Sequence, residues 1–199
     1  MNELIPYRIA TVVIMIAGMI ISGHFRKKAD REGGKVPRTD DGLPFLLPAT
    51  IVAIVAMGSV LTFIVYPPLT TWAQTPIPTP IRLAGIALAL INLPILYALF
   101  KNLGSNVTST ASTRENHTLV TTGPYRWIRH PLYTIGLILW FSLALITNLW
   151  PILVSIALFI PIINKRTQTE EANLIAKFGQ DYIDYQQRIG KYLPRLSKP

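Results

Sequence analysis

The chain is 199 residues long, half of them hydrophobic and 15% charged, with a mean hydropathy of +0.38 and a formal charge of +9. That balance is typical of a membrane protein and excludes an ordinary soluble domain. Cysteine is absent, which rules out disulfides, thiolate nucleophiles and cysteine-based metal sites.

A bilayer core of roughly 30 Å takes about 20 apolar residues per helix. Residues 4–23 meet that length, with Arg8 near their start. They lack a clustered basic leader and are long for the apolar stretch of a signal peptide, so they are read as a retained helix. Residues 43–66 qualify without a single charge, and residues 81–100 qualify with Arg82 at their edge. Residues 132–147 and 150–163 are shorter and separated only by Asn148 and Leu149, the pattern of a tight helical hairpin. Spans in lipid must satisfy their own backbone, so all five are expected to be helices. The expected fold is an all-α integral membrane protein with about five transmembrane helices, a C-terminal helical hairpin and a pocket facing the cytosol.

Seventeen of the nineteen Lys and Arg fall in three segments: residues 24–42, residues 101–130 and the tail from Asn164. The proline-rich segment from Pro67 to Pro80 has none and is expected to be an extended, stiff loop. The positive-inside rule then puts the three basic segments in the cytosol. Their charge is explained by topology and by anionic lipid heads, so no nucleic-acid partner is expected. Pro94 is expected to kink the third helix, and Asn92 beside it to face a helix or a cavity rather than lipid. In the tail, Leu174, Phe178, Tyr182 and Tyr185 recur at helical spacing, which predicts an amphipathic surface helix broken near Gly179 and ended by Gly190 and Pro194. Two regions result: residues 1–100, with three helices, and residues 101–199, with the hairpin, the tail helix and the chemistry.

The chemistry-bearing residues form two clusters. The first runs from His117 through Gly123-Pro124-Tyr125 and Arg129-His130-Pro131 to Tyr133. Pro131 is suited to the first turn of the fourth helix, so His130 falls at its N-cap, where backbone amides and the helix dipole face a ligand. The second is Arg166-Thr167-Gln168-Thr169-Glu170-Glu171, at the exit of the hairpin. An aromatic belt with anchoring arginines accounts for the first cluster equally well residue by residue, and Thr167 with Glu170 also has the spacing of a helix capping box. The density of His, Arg and Tyr, and the paired glutamates at a membrane exit, favour one joint site. Nucleotide-binding glycine motifs, a Walker motif, a zincin motif and a nucleophile elbow are all absent. Three scattered histidines make no metal site.

Taken in order, His117-Thr118-Leu119-Val120, Gly123-Pro124-Tyr125, Arg129-His130-Pro131-x-Tyr133, Arg166-x-x-x-Glu170-Glu171 and Phe178-Gly179-x-x-Tyr182-x-x-Tyr185 resemble the isoprenylcysteine carboxyl methyltransferase family. Leu103-Gly104-Ser105-Asn106 also matches, and the likeness spans residues 101–196. The Arg-His-Pro-x-Tyr piece is shared with phospholipid N-methyltransferases. The resemblance implies S-adenosylmethionine as cofactor, lined by His117, Thr118, Leu119, Val120, Tyr125, His130, Pro131, Leu132, Tyr133 and Glu170. It implies that Arg166 orients the acceptor and that Arg166 and Glu170 are catalytic. The implied reaction is O-methylation of an isoprenylcysteine-like carboxylate, and the implied partners are a prenylated or lipid-like acceptor and membrane lipids. N-methylation of a phospholipid is the alternative. An NADPH-dependent membrane reductase is disfavoured by the adjacent glutamates, and a non-catalytic scaffold by the joint pattern. One departure stands out: where the family carries glycine two residues after the tyrosine, this chain has Ile135, with Gly136 following.

Overall fold

The computed structural model describes residues 2–34, 42–107 and 118–195. Six α-helices follow in order: α1 (Ile5–Gly33), α2 (Leu43–Val65), α3 (Thr79–Leu103), α4 (Pro131–Thr147), α5 (Trp150–Phe178) and α6 (Gln180–Arg188). Each of the first five carries proline in its first turn, where the missing amide costs no helical hydrogen bond. The α4–α5 connection is Asn148 and Leu149 alone, with Asn148 in the left-handed region (φ 64°) that asparagine tolerates.

Among the described residues, three helices are long and apolar enough to cross a membrane: residues 5–32, 45–65 and 79–106. Helix α4 is a shorter apolar helix of 17 residues. Ile9, Val13, Ile16 and Ile20 on α1 and Ile51, Ile54 and Leu61 on α2 stay exposed, as lipid-facing side chains do. Helix α3 packs along α4, and α2 along α5, so each helix of the hairpin is backed by one from the first half of the chain. Gly85 permits the α3–α4 approach: a Cβ there would lie 2.8 Å from Leu145 Cβ and 3.1 Å from the Ser142 carbonyl. Asn92 is buried and donates from Nδ2 to the Ile135 carbonyl across the same seam at 2.8 Å, so its role is helix packing. Helix α3 runs continuously through Pro94.

The two ends of the bundle differ. At one end Arg8 donates to the Ile64 carbonyl and Arg82 to the Ile146 carbonyl, closing the C-termini of α2 and α4. Arg82 also lies over the Tyr7 ring at 3.5 Å. At the other end, Phe25 and Ala29 of α1 pack with Leu96, Leu99 and Phe100 of α3 and Ile135 of α4. This second end carries the polar clusters.

Several sequence expectations need correction. Helix α1 continues ten residues past Gly23, so Arg26, Lys27, Lys28 and Arg31 stand on a helix rather than in a loop. The segment Pro67–Ala73 winds into a 3₁₀ helix instead of staying extended, because Thr70 and Thr71 hydroxyls bond back three residues. Helix α5 does not stop at Ile163 but runs on to Phe178. Thr167 is therefore mid-helix, and its capping-box reading fails. Gly179 (φ 56°) ends α5 and starts α6. The aromatic face of α6 turns inward: Tyr182 and Tyr185 are buried, and the Tyr185 hydroxyl donates to the Tyr125 carbonyl at 2.6 Å.

Candidate active site

The site is assembled from three pieces of chain. The loop before α4 brings Arg129 and His130, and the first turn of α4 brings Tyr133. The charged half of α5 contributes Arg166, Thr167, Glu170 and Glu171, spaced so that they share one face. A C-terminal strap after α6 then crosses the loop. The amides of Arg129 and His130 donate to the carbonyls of Gly190 (2.8 Å) and Lys191 (3.0 Å), a short parallel pairing. Gly190 is required there, because a Cβ would lie 1.9 Å from the Leu193 carbonyl oxygen.

His130 is 6% exposed and stands between the two glutamates. Its Nε2 is 3.0 Å from Glu171 Oε1 and its Nδ1 is 3.4 Å from Glu170 Oε2. Glu170 also accepts a short hydrogen bond from the Tyr133 hydroxyl and one from Arg166 Nε at 3.1 Å. Arg166 lies 4.8 Å from the Phe45 ring centroid, on α2. Glu171 accepts from Arg129 Nε at 3.0 Å, with Lys191 Nζ 3.7 Å away. Arg129 reaches further, donating from Nη1 to the carbonyls of Gln186 (3.0 Å) and Ile189. The Tyr192 hydroxyl pairs with Thr167 Oγ1 at 2.6 Å, and its ring centroid lies 6.0 Å from that of His130.

The electrostatics follow from these contacts. Burial opposes charge on Glu170, but hydrogen bonds from His130 and Tyr133 and the charges of His130 and Arg166 outweigh it and hold the carboxyl below its ordinary value. Glu171, likewise opposed by burial, is held down to about 2 by the hydrogen bonds and charges of His130 and Arg129. Burial alone would lower His130, yet the two glutamates raise it above its ordinary value. Burial pushes the Tyr125 and Tyr182 phenols well up and Tyr185 up to about 12, so all three stay neutral. Two carboxylates, a histidine and three cations thus meet in one largely buried cluster.

The expected site residues are placed unequally. His130, Tyr133 and Glu170 meet directly, and Arg166 joins them through Glu170. Pro131 is buried at the start of α4. Leu132 and Tyr125 pack against the apolar cluster of Leu96, Phe100 and Ile135. Thr118 is fastened to buried Asn106, whose Nδ2 donates to the Thr118 hydroxyl at 2.9 Å while the Thr118 amide returns a bond to Oδ1. Leu119 and Val120 follow it, half-buried. His117 lies outside the described residues. Ile135 fills the core, and a Cβ on Gly136 would meet open space, so the displaced glycine answers no packing need. Sequence reasoning passed over Lys191 and Tyr192, which stand between two chain-ending signals, Gly190 and Pro194. Their aromatic and basic character next to the tail helix was the available signal.

An apolar groove runs between α2, α4 and α5, lined among others by Val52, Ala56, Leu137, Trp140, Ile156 and Phe159. Leu137 lies one turn beyond Tyr133 on α4, and Phe159 lies two turns before Arg166 on α5, so the groove and the polar site share these two helices.

The phospholipid methyltransferase family model matches residues 81–181, from the start of α3 into α6. The chain belongs to that family. Among its relatives is the protein-S-isoprenylcysteine O-methyltransferase of Homo sapiens, 32% identical over 130 residues, covering 62% of this chain and 44% of that protein. A protein named cobalt-zinc-cadmium resistance protein CzcN, from Cupriavidus metallidurans, is 33% identical over 86 residues, covering 43% of this chain and 40% of its own. The match thus takes in less than half the length of either relative. A solved structure titled as the eukaryotic intramembrane Ras methyltransferase (isoprenylcysteine carboxyl methyltransferase) superposes over 93% of this chain and 67% of its own, with a TM-score of 0.59 and 21% identity. At that identity the likeness concerns the fold, which is that of a membrane-embedded member of the phospholipid methyltransferase family.

Proposed function

We propose that this protein transfers a methyl group from S-adenosylmethionine to a lipid-tailed acceptor, first of all the carboxylate of an isoprenylated cysteine. What supports this reading is that a charged, half-buried site and an apolar groove are built on the same two helices, with Tyr133 one turn from Leu137 on α4 and Arg166 two turns from Phe159 on α5. The donor set fits such a cofactor: a carboxylate held ionised at Glu170, the aromatic rings of Tyr133 and Tyr192 beside it, and a guanidinium at Arg166. When bound, the cofactor supplies an electrophilic methyl on a sulfonium. His130, Tyr133 and Glu170 would hold it, together with His117, Thr118, Leu119, Val120, Tyr125, Pro131 and Leu132, named by the family resemblance.

The chain's own residues then have two tasks. Glu170 faces the positive charge with its carboxylate, fixed in orientation by the Tyr133 hydroxyl. Arg166 orients the acceptor carboxylate, since a planar guanidinium pairs with carboxylates in defined geometry. A carboxylate acceptor is already ionised, so no general base is required. Alignment and exclusion of water supply the acceleration. The isoprenyl chain would lie in the α2–α4–α5 groove and enter from the bilayer. The site would face the cytosol, a reading that the three basic segments support through the positive-inside rule.

The test is methyl transfer by the full chain in proteoliposomes, with labelled S-adenosylmethionine offered against an S-farnesylated N-acylcysteine and against phosphatidylethanolamine. The expected product is a base-labile methyl ester of the farnesylcysteine. Labelled phosphatidylethanolamine instead would mean that the acceptor is an amine, with a glutamate taking the departing proton. Absence of both products overturns the reading.

A further inference from the structure

The second glutamate has no assigned part in this scheme, yet it has as many partners as the first. Glu171 accepts from Arg129 Nε and lies near Lys191 Nζ, so three pieces of chain fix it. Its Oε1 faces His130 Nε2 at 3.0 Å, while the other ring nitrogen faces Glu170 at 3.4 Å. A neutral imidazole has one N–H and can satisfy only one of two carboxylates, whereas an imidazolium donates to both. The geometry of the site as it stands therefore calls for the charged ring.

Charged and titratable groups from each neighbouring described element stand around that ring. Arg129 and Tyr133 flank it from its own segment and α4. Glu170 and Glu171 face it from α5, with Arg166 on Glu170; Tyr192 lies beside it from the strap, with Lys191 near Glu171; and Tyr182 and Tyr185 of α6 add neutral phenols near Arg129. With an imidazolium, four cations surround two carboxylates. A sulfonium brought to Glu170 would be a fifth positive charge sharing the carboxylate that His130 Nδ1 already occupies. Losing the Nδ1 proton relieves that conflict at once. The Nε2–H stays on Glu171, which thereby selects the tautomer and keeps the ring in place.

We propose that Glu171 is a positioning residue that acts through His130, fixing its Nε2–H so that the Nδ1 proton leaves when a cationic methyl donor binds and stays when the neutral thioether product binds. This rests on the donor-site reading above. The Nδ1–H bond breaks, the electron pair remains on nitrogen, and the proton passes to the buffer. The site thereby discriminates donor from product by charge: the preference for the sulfonium grows with pH by up to about tenfold per unit while free His130 is protonated.

The test is calorimetric titration of the purified full-length protein with S-adenosylmethionine and with S-adenosylhomocysteine, in pairs of buffers that differ in ionisation heat, from about pH 6 to about pH 8.5. Donor binding should release a substantial fraction of one proton and product binding close to none. Glu171→Gln removes one of the two carboxylates facing His130. It should move the midpoint of proton release to lower pH by about one unit or more, a change that a merely structural role would not produce. His130→Asn should abolish the release. Equal proton counts for donor and product in the wild-type protein overturn the inference while leaving the donor site standing, and that comparison needs no variant. An unmoved midpoint in Glu171→Gln overturns it too. Failure of the wild-type protein to bind either ligand brings down the donor-site reading and this inference together.

Discussion

Replacing Arg129 with alanine should release the C-terminal strap from the loop before α4. The side chain is 11% exposed and donates to Glu171 and to the carbonyls of Gln186 and Ile189. Hydrogen bonds to charged groups contribute about 1.5–3 kcal/mol each, and breaking a buried pair costs about 3–5 kcal/mol. The two carbonyls lie near the surface and regain water, and Glu171 keeps His130 and Lys191. A net local loss of about 2–4 kcal/mol remains after those allowances. That converts to roughly 30- to 800-fold more frequent opening. The amides of residues 129 and 130, which donate to Gly190 and Lys191, report the opening directly by native-state hydrogen exchange. Accelerated exchange confined to these amides and α6 is expected, with α1–α4 unchanged. Wild-type protection at residues 129 and 130 in a folded variant would refute the clasp.

Arg166→Ala and Tyr133→Phe each remove one hydrogen bond to Glu170, and methyl transfer should fall by about tenfold or more in Arg166→Ala and by less in Tyr133→Phe, measured with protein whose melting in detergent is unchanged. Gly190→Ala should undock the strap, read as faster proteolysis after α6, because a Cβ there would overlap the Leu193 carbonyl. Strap protection should also depend on pH. Glu171, held at about 2, contributes fully above its unfolded value of ~4.3 and loses its contribution as pH falls toward that lower figure. His130, raised in the fold, contributes fully below ~6.5 and loses its contribution as pH rises through its raised value. Exchange at residues 129 and 130, corrected for intrinsic rates, should therefore be slowest between ~pH 4.5 and ~6.5. A profile that stays flat from well below ~pH 4.5 to well above ~pH 6.5 would count against the His130–glutamate bridge.

The helices of this fold were legible because lipid leaves so few alternatives: apolar runs near 20 residues mark α2 to within one residue and α3 to within three. Pro131 and the Asn148-Leu149 pair marked α4 and its turn for the same reason. What the sequence concealed was continuity across a polarity change. Helix α5 passes from Ile163 into Asn164, Lys165 and Arg166 without a break, since these residues are good enough helix formers and tertiary contacts hold the charged half. Local patterns then misled: Thr167 and Glu170 have capping-box spacing but stand mid-helix, and the tail aromatics have amphipathic spacing but pack on protein rather than on lipid. In the site, the motif residues His130, Tyr133 and Glu170 could be named from their order in the chain. The partners set by folding could not. No spacing reveals that Arg129 reaches Ile189, that Tyr192 reaches Thr167, or that one histidine is shared by two adjacent glutamates.

Equilibrium binding of S-adenosylmethionine to the full-length protein in detergent, with wild type and Glu170→Ala side by side, tests the central claim most directly. One saturable site per chain, weakened by about tenfold or more in the variant, is the predicted result. No binding to the wild-type protein, or equal binding by a folded Glu170→Ala variant, would contradict it.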